Sequence, residues 1–167
     1  RFAIKVYEWR VRNLVKLNDT VKKYMKSRLV IVSPAATLAQ IAKNMAEKDT
    51  DIAIVKSGKD YVGVITDSDV FMAMKSYVFK DVLENLPEDA GKVKVEQIMR
   101  GTVSKNFMSM CQLTGLRPCL MLGEEESVET AIKTMGAAGS HHLIIIGADG
   151  SITGTLSAHD LLKSSVE

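Results

Sequence analysis

The chain has little that would commit it to a chemistry unaided. Its only two cysteines, Cys111 and Cys119, lie eight positions apart. Zinc needs four thiolate or imidazole ligands and usually a close cysteine pair, which this spacing lacks; a low-ranking alternative would join them to His141 and His142. The default for two cysteines in an intracellular chain is free thiols. No uncharged run reaches the roughly 20 apolar residues of a membrane span, and the leading RFAIKVYEWRVRNLVK has no unbroken apolar stretch to act as a signal peptide. A cytoplasmic protein with no membrane partner is expected. Charge of one sign is also scarce: 22 Lys and Arg against 20 Asp and Glu leave a net +2, too little field for nonspecific nucleic-acid binding by this chain. There is no G-x-x-x-x-G-K-[ST], no G-x-G-x-x-G, and no nucleophile, base and orienting acid at recognisable spacing. The expectation is not an enzyme, with no required cofactor and no metal. The chain starts at Arg1, so it is read as a trimmed piece to which an effector domain could be attached.

What is present is ordinary globular material, 46% apolar and 25% charged over 167 residues, enough for one domain or two small ones. The informative feature is repetition. Leu38, Ile41, Ala42 and Met45 match Val128, Ala131, Ile132 and Met135 at an offset of 90. Their i, i+3, i+4, i+7 spacing predicts one face of an amphipathic helix in each copy. Thr37 and Ser127 precede these helices as N-caps. LVIV and CLML read as strands before the helices, DIAIV with YVGVIT and HLIII with SITGTLS as hairpins after them. GVITDSDVF and GTLSAHDLL then open a last helix, with Gly63, Thr66 and Asp69 matching Gly154, Ser157 and Asp160 at an offset of 91. Upstream, VKKYM ending at Met25 and VEQIM ending at Met99 match at an offset of 74.

The predicted organisation is an N-terminal extension (1–20), repeat one (21–75), a linker (76–94) and repeat two (95–167) with an insertion at about 101–118. Each repeat reads as β-α-β-β-α. That order, its duplication and the closing G-h-h-[TS]-x-x-D resemble a tandem cystathionine β-synthase (CBS) domain pair, or Bateman module, over about Val21 to Lys163. The resemblance implies an α/β (α+β) fold whose repeats pack through their sheets about a pseudo-two-fold axis. It further implies clefts for adenosine compounds (AMP, ADP, ATP or S-adenosylmethionine) and a homodimer. The function so implied is a noncatalytic regulatory, energy-sensing module. The alternatives are a structural or dimerisation module with vestigial clefts and a metal or redox sensor built on the insertion.

The T/S-x-x-D motif has a plain reading as a capping box, worth about 1 kcal/mol for its hydroxyl. Its functional reading is a ligand grip: a helix N-terminus suits phosphate, and the carboxylate of Asp69 or Asp160 can accept a ribose diol. SHHLIII resembles the His-Arg-Leu-Val stretch of the γ subunit of AMP-activated protein kinase, where the basic pair faces phosphates, and His141 and His142 take those places, with Thr50 and Asp51 opposite them in repeat one. An aspartate there repels an anion. Phosphate is therefore expected on His141, His142, Ser157 and Asp160, with His159 nearby, and the cleft of Thr66, Ser68 and Asp69 is expected empty or holding an adenosyl group without phosphates. Imidazole where arginine would stand predicts affinity that rises as pH falls. The plain reading of the histidines is one hydrogen-bonded ring and one solvated ring. Ile52, Ala53 and Leu143 are positional candidates for an adenine slot. Phe107, Met108 and Met110 of the insertion would form a lid or a dimer contact, although methionine is also a common core filler.

Overall fold

The structure, a computed structural model, describes residues 15–79, 89–98 and 121–163. The extension to residue 14, residues 80–88 of the linker, and the insertion with Phe107, Met108, Met110 and Cys111, together with Cys119, lie outside the described residues. The architecture is mixed α+β. In repeat one, β1 (Val30–Val32) runs parallel to β2 (Ile52–Ser57), which pairs antiparallel with β3 (Asp60–Thr66). In repeat two, β4 (Met121–Gly123), β5 (His142–Ile146) and β6 (Ile152–Ser157) reproduce that order and those directions. In chain order the helices are α1 (Leu38–Glu47), α2 (Asp67–Phe79), a short α3 (Val95–Ile98), α4 (Val128–Ala138) and α5 (Ala158–Lys163). The β-α-β-β-α order expected of each copy is present.

Both crossover helices start where expected. Thr37 Oγ1 accepts from the Gln40 N–H at 3.3 Å while Gln40 Oε1 accepts from the Thr37 N–H at 2.9 Å, a complete capping box. Ser127 Oγ accepts from the Thr130 N–H at 3.1 Å. The buried stripe is narrower than the sequence pattern: Leu38, Ile41 and Met45 are buried, as are Val128, Ala131 and Met135, but Ala42 and Ile132 face outward. The central strands are covered on both faces, with Ile52 to Val55 and Leu143 to Ile145 all buried, as fits a strand flanked on both sides. In α2, Val70 packs on the core and Ala73 is buried, whereas Phe71, Met72 and Met74 are 64%, 54% and 53% exposed.

The chain forms two compact units that are not the sequence repeats. Arg28–Pro118 makes the repeat-one unit, and Arg1–Ser27 joins Cys119–Glu167 in the repeat-two unit. Each leader segment thus packs on the other copy's sheet and helix. Val21 is fully buried in the repeat-two core, and Val93 and Val95 in the repeat-one core. The backbone shows this bond by bond. Val21, Lys22 and Val128 N–H groups donate to Glu126, Glu124 and Asp19 carbonyls at 2.8, 3.1 and 2.9 Å; their counterparts Val95, Glu96 and Leu38 donate to Ala36, Pro34 and Val93 at 2.8, 3.0 and 2.8 Å. The donors of each leader satisfy carbonyls of the polar turn before the other copy's helix, which would otherwise be unpaired. The first leader is less helical than its spacing suggests: Val21–Lys23 is a 3₁₀ turn.

Candidate functional site

Each repeat ends its hairpin on the T/S-x-x-D motif, and in both the acid folds back on the strand end. In repeat one, Asp69 Oδ2 accepts from the Thr66 N–H at 2.9 Å and from Thr66 Oγ1 at 3.1 Å, and the Asp69 N–H donates to Thr66 Oγ1 at 3.4 Å. In repeat two, Asp160 Oδ2 accepts from the Ser157 N–H at 2.8 Å and from Ser157 Oγ at 3.0 Å, and the Asp160 N–H donates back at 3.2 Å. The capping reading therefore holds in both repeats. In both motifs Oδ2 alone closes the box, and Oδ1 stands outside it. Ser68 directs its N–H to Asp67 Oδ1 at 2.7 Å, a local contact that leaves it on the exposed surface.

The surroundings differ. Asp69 is exposed, whereas Ser157 and Asp160 are 4% and 8% exposed. Asp160 Oδ1 makes no aligned hydrogen bond; it faces Lys26 Nζ at 3.0 Å in an ion pair whose side chains are 5% and 19% exposed. Lys26 is a site residue that motif reading missed. Its backbone is bridged to Thr155, N–H to O at 2.8 Å and O from N–H at 2.9 Å. The approach needs Gly154, where a Cβ would fall 2.8 Å from the Lys26 carbonyl and 2.9 Å from Met25 Sδ. The available signal was the offset of 74, which sets basic Lys26 against basic Arg100 after the paired methionines; Arg100 lies outside the described residues.

The strand register corrects the histidine alignment. His142 pairs with Ser157 as Ile52 pairs with Thr66. The Ala158 N–H donates to the His141 carbonyl at 2.9 Å as Asp67 does to Asp51 at 3.0 Å. His141 and His142 thus match Asp51 and Ile52, not Thr50 and Asp51. Thr50 instead matches Ser140, each hydroxyl bonding the carbonyl two residues on at 3.3 Å. The offset changes from 90 to 91 inside the hairpin, between Val55/Ile145 and Gly63/Gly154, because the second turn is one residue longer. His141 and His159 are exposed and His142 half-buried beside Ser157. Ala53 and Leu143 sit inside the two apolar cores, so core packing takes up their side chains, and Ile52 is 2% exposed.

In the repeat-one unit a cavity of about 310 Å³ opens between α1 and α2, lined by Ala46, Phe71 and Met74 and by Asp49, Asp51 and Asp67. Its polar side carries the three carboxylates. Among the described residues no group of three His, Cys, Asp or Glu could hold a metal, and no helix is long and apolar enough to cross a membrane.

The family model of the CBS domain matches residues 21–76 and 115–167, well over half the sequence, once for each motif-bearing repeat. The chain belongs to the CBS-domain family. Solved CBS-type structures share its fold at low identity. An uncharacterized conserved protein from Pyrococcus horikoshii is 21% identical, with a TM-score of 0.63 over 91% of this chain and 96% of that one. CBSX2 in complex with AMP is 20% identical, with a TM-score of 0.56 over 89% and 97%. A hexameric CBS-CP12 protein from bloom-forming cyanobacteria is 22% identical, with a TM-score of 0.59 over 86% and 66%. No curated protein sequence matches the chain.

Proposed function

We propose that this CBS pair is a noncatalytic regulatory module that binds an adenosine nucleotide or adenosyl metabolite. The observation that carries the reading is the divided use of each motif carboxylate: Oδ2 of Asp69 and of Asp160 closes the cap, and Oδ1 is left outside it, able to accept from a ribose hydroxyl without undoing the helix start. The phosphate-bearing ligand belongs with repeat two, where Lys26 pairs with Asp160, His142 lies beside Ser157 on the neighbouring strand and His141 and His159 adjoin them in the chain, and not with repeat one, where Asp51 and Asp67 line the groove. The AMP complex of a protein with the same fold supports the ligand class. Binding would drive a change only through differential affinity for two arrangements.

Thermal denaturation with AMP, ADP, ATP, S-adenosylmethionine, methylthioadenosine and zinc tests this. A ligand at 100 times its Kd adds about 2.7 kcal/mol, a rise of roughly 5 to 10 °C in Tm. Asp160→Ala should abolish the nucleotide shift and Asp69→Ala spare it; no shift with any compound rejects the reading. The exposed Phe71, Met72 and Met74 on α2 favour a second role, self-association of two chains through this apolar face. Light scattering of Phe71→Glu against wild type checks it, with a lower mass expected for the variant.

A further inference from the structure

The ion pair of Lys26 with Asp160 has no part in capping, since the cap is complete without it. Oδ2 of Asp160 already accepts from the Ser157 N–H and hydroxyl at 2.8 and 3.0 Å, so a new donor has only Oδ1 to use. Lys26 Nζ stands 3.0 Å from that oxygen. We infer that Lys26 is a specificity-determining residue of the repeat-two site, making access of a sugar diol to Asp160 conditional on negative charge in the same ligand. The inference rests on the nucleotide reading above and names the ligand property that reading leaves open.

Ammonium and diol compete for one oxygen in a confined place. A diol at Oδ1 must share that oxygen with the ammonium or push it aside. The ammonium cannot go far, because the Lys26 backbone is bridged to Thr155 by two hydrogen bonds and pressed against Gly154. The positive charge therefore stays within the length of one lysine stem from a ligand at Asp160, in surroundings that screen it poorly because Asp160 and Ser157 are almost wholly buried. A neutral nucleoside meets the competition without recompense. A sulfonium compound adds repulsion. A phosphate draws the displaced ammonium into a new charge-assisted contact. Repeat one lacks this device among the described residues: Asp69 is exposed, and the nearby groove is lined by aspartates.

The test is calorimetric titration of the full chain with AMP, adenosine and S-adenosylmethionine, in wild type, Lys26→Gln and Lys26→Arg. Wild type should prefer AMP over adenosine by roughly ten- to a hundredfold, the range of one charge-assisted contact, and bind S-adenosylmethionine weakest of the three. In Lys26→Gln, which keeps most of the stem, the ratio should fall towards one, with adenosine binding more tightly than in wild type; Lys26→Arg should restore the preference. Loss of AMP and adenosine affinity by equal factors in Lys26→Gln would make Lys26 structural and overturn the inference, as would an unchanged ratio. Should Lys26→Gln fail to fold, the wild-type ratio measured from low to high salt decides: it must shrink as salt rises, and a constant ratio overturns the inference. Wild type that binds none of the three overturns the nucleotide reading and this inference together, whereas binding with a ratio indifferent to Lys26 overturns only the latter.

Discussion

At the end of β3 the Thr66–Asp69 box lies in the open, on a helix whose first residue, Asp67, helps wall an acidic groove. At the end of β6 the Ser157–Asp160 box has the same bonds within a few tenths of an ångström, but it is buried and its outer oxygen faces Lys26. The local construction is identical because T/S-x-x-D dictates it. What differs among the described residues is burial: Ser157 and Asp160 are enclosed while Asp69 is exposed, and the exchanged leader segment brings Lys26 beside Asp160. A motif can thus be duplicated faithfully while its two sites diverge through residues outside it.

The largest effect is expected from removing each acid in turn. Asp160→Ala removes one side of a mostly buried ion pair and should lower stability by about 3 kcal/mol, against about 1 kcal/mol for the exposed cap of Asp69→Ala; urea denaturation giving equal losses would show the pair to be inert. Next comes the approach that delivers Lys26. Gly154→Ala sets a Cβ against a backbone carbonyl that cannot move cheaply and should cost about 2 kcal/mol. Gly136→Ala in α4 meets nothing within 4 Å and should instead stabilise by up to about 1 kcal/mol. A third pair compares helix ends. Asp49 and Gly139 hold the same left-handed place after α1 and α4, at φ 49° and 60°. Asp49→Gly should gain, and Gly139→Ala lose, on the order of 1 kcal/mol by thermal denaturation.

The smallest effect is on pH. Hydrogen bonds from Lys23 and then Tyr24 hold the Asp19 carboxyl below its ordinary 3.8, and Lys22, then Thr153, hold Glu124 below its ordinary 4.5. With folded values depressed, this stability is present above the ordinary carboxylate range and lost as pH falls through and below it. All these groups tie the leader to the repeat-two unit or lie beside it, so acid should loosen that unit first. Hydrogen exchange of residues 19–25 and 124–128 at pH 3 against pH 6 measures it, with the repeat-one leader at residues 93–96 as the internal control.

Much of the fold was legible in the residues. The spacing of Leu38, Ile41 and Met45 and of their partners 90 positions on placed both crossover helices, Thr37 and Ser127 marked their starts, and the alternating runs marked the hairpins, because local periodicity and capping act within one turn of chain. The leader exchange was not legible, since an offset of 74 shows that two segments are alike without showing what each packs on. The histidine register slipped by one for a related reason: repeat matching treats an offset as constant, whereas one extra hairpin residue changes it, and only the ladder of β5 with β6 reveals where.

By itself, then, the order of residues determined two β-α-β-β-α units, each closed by an acid that caps its own helix, because those choices depend on neighbours within a few positions. Tertiary structure alone decided that Asp160 is buried, that Asp69 is not, and that a lysine 134 positions away answers the first of them. Burial and ion pairing are set by which distant surfaces meet, and no spacing along a chain encodes the distance from an ammonium to a carboxylate.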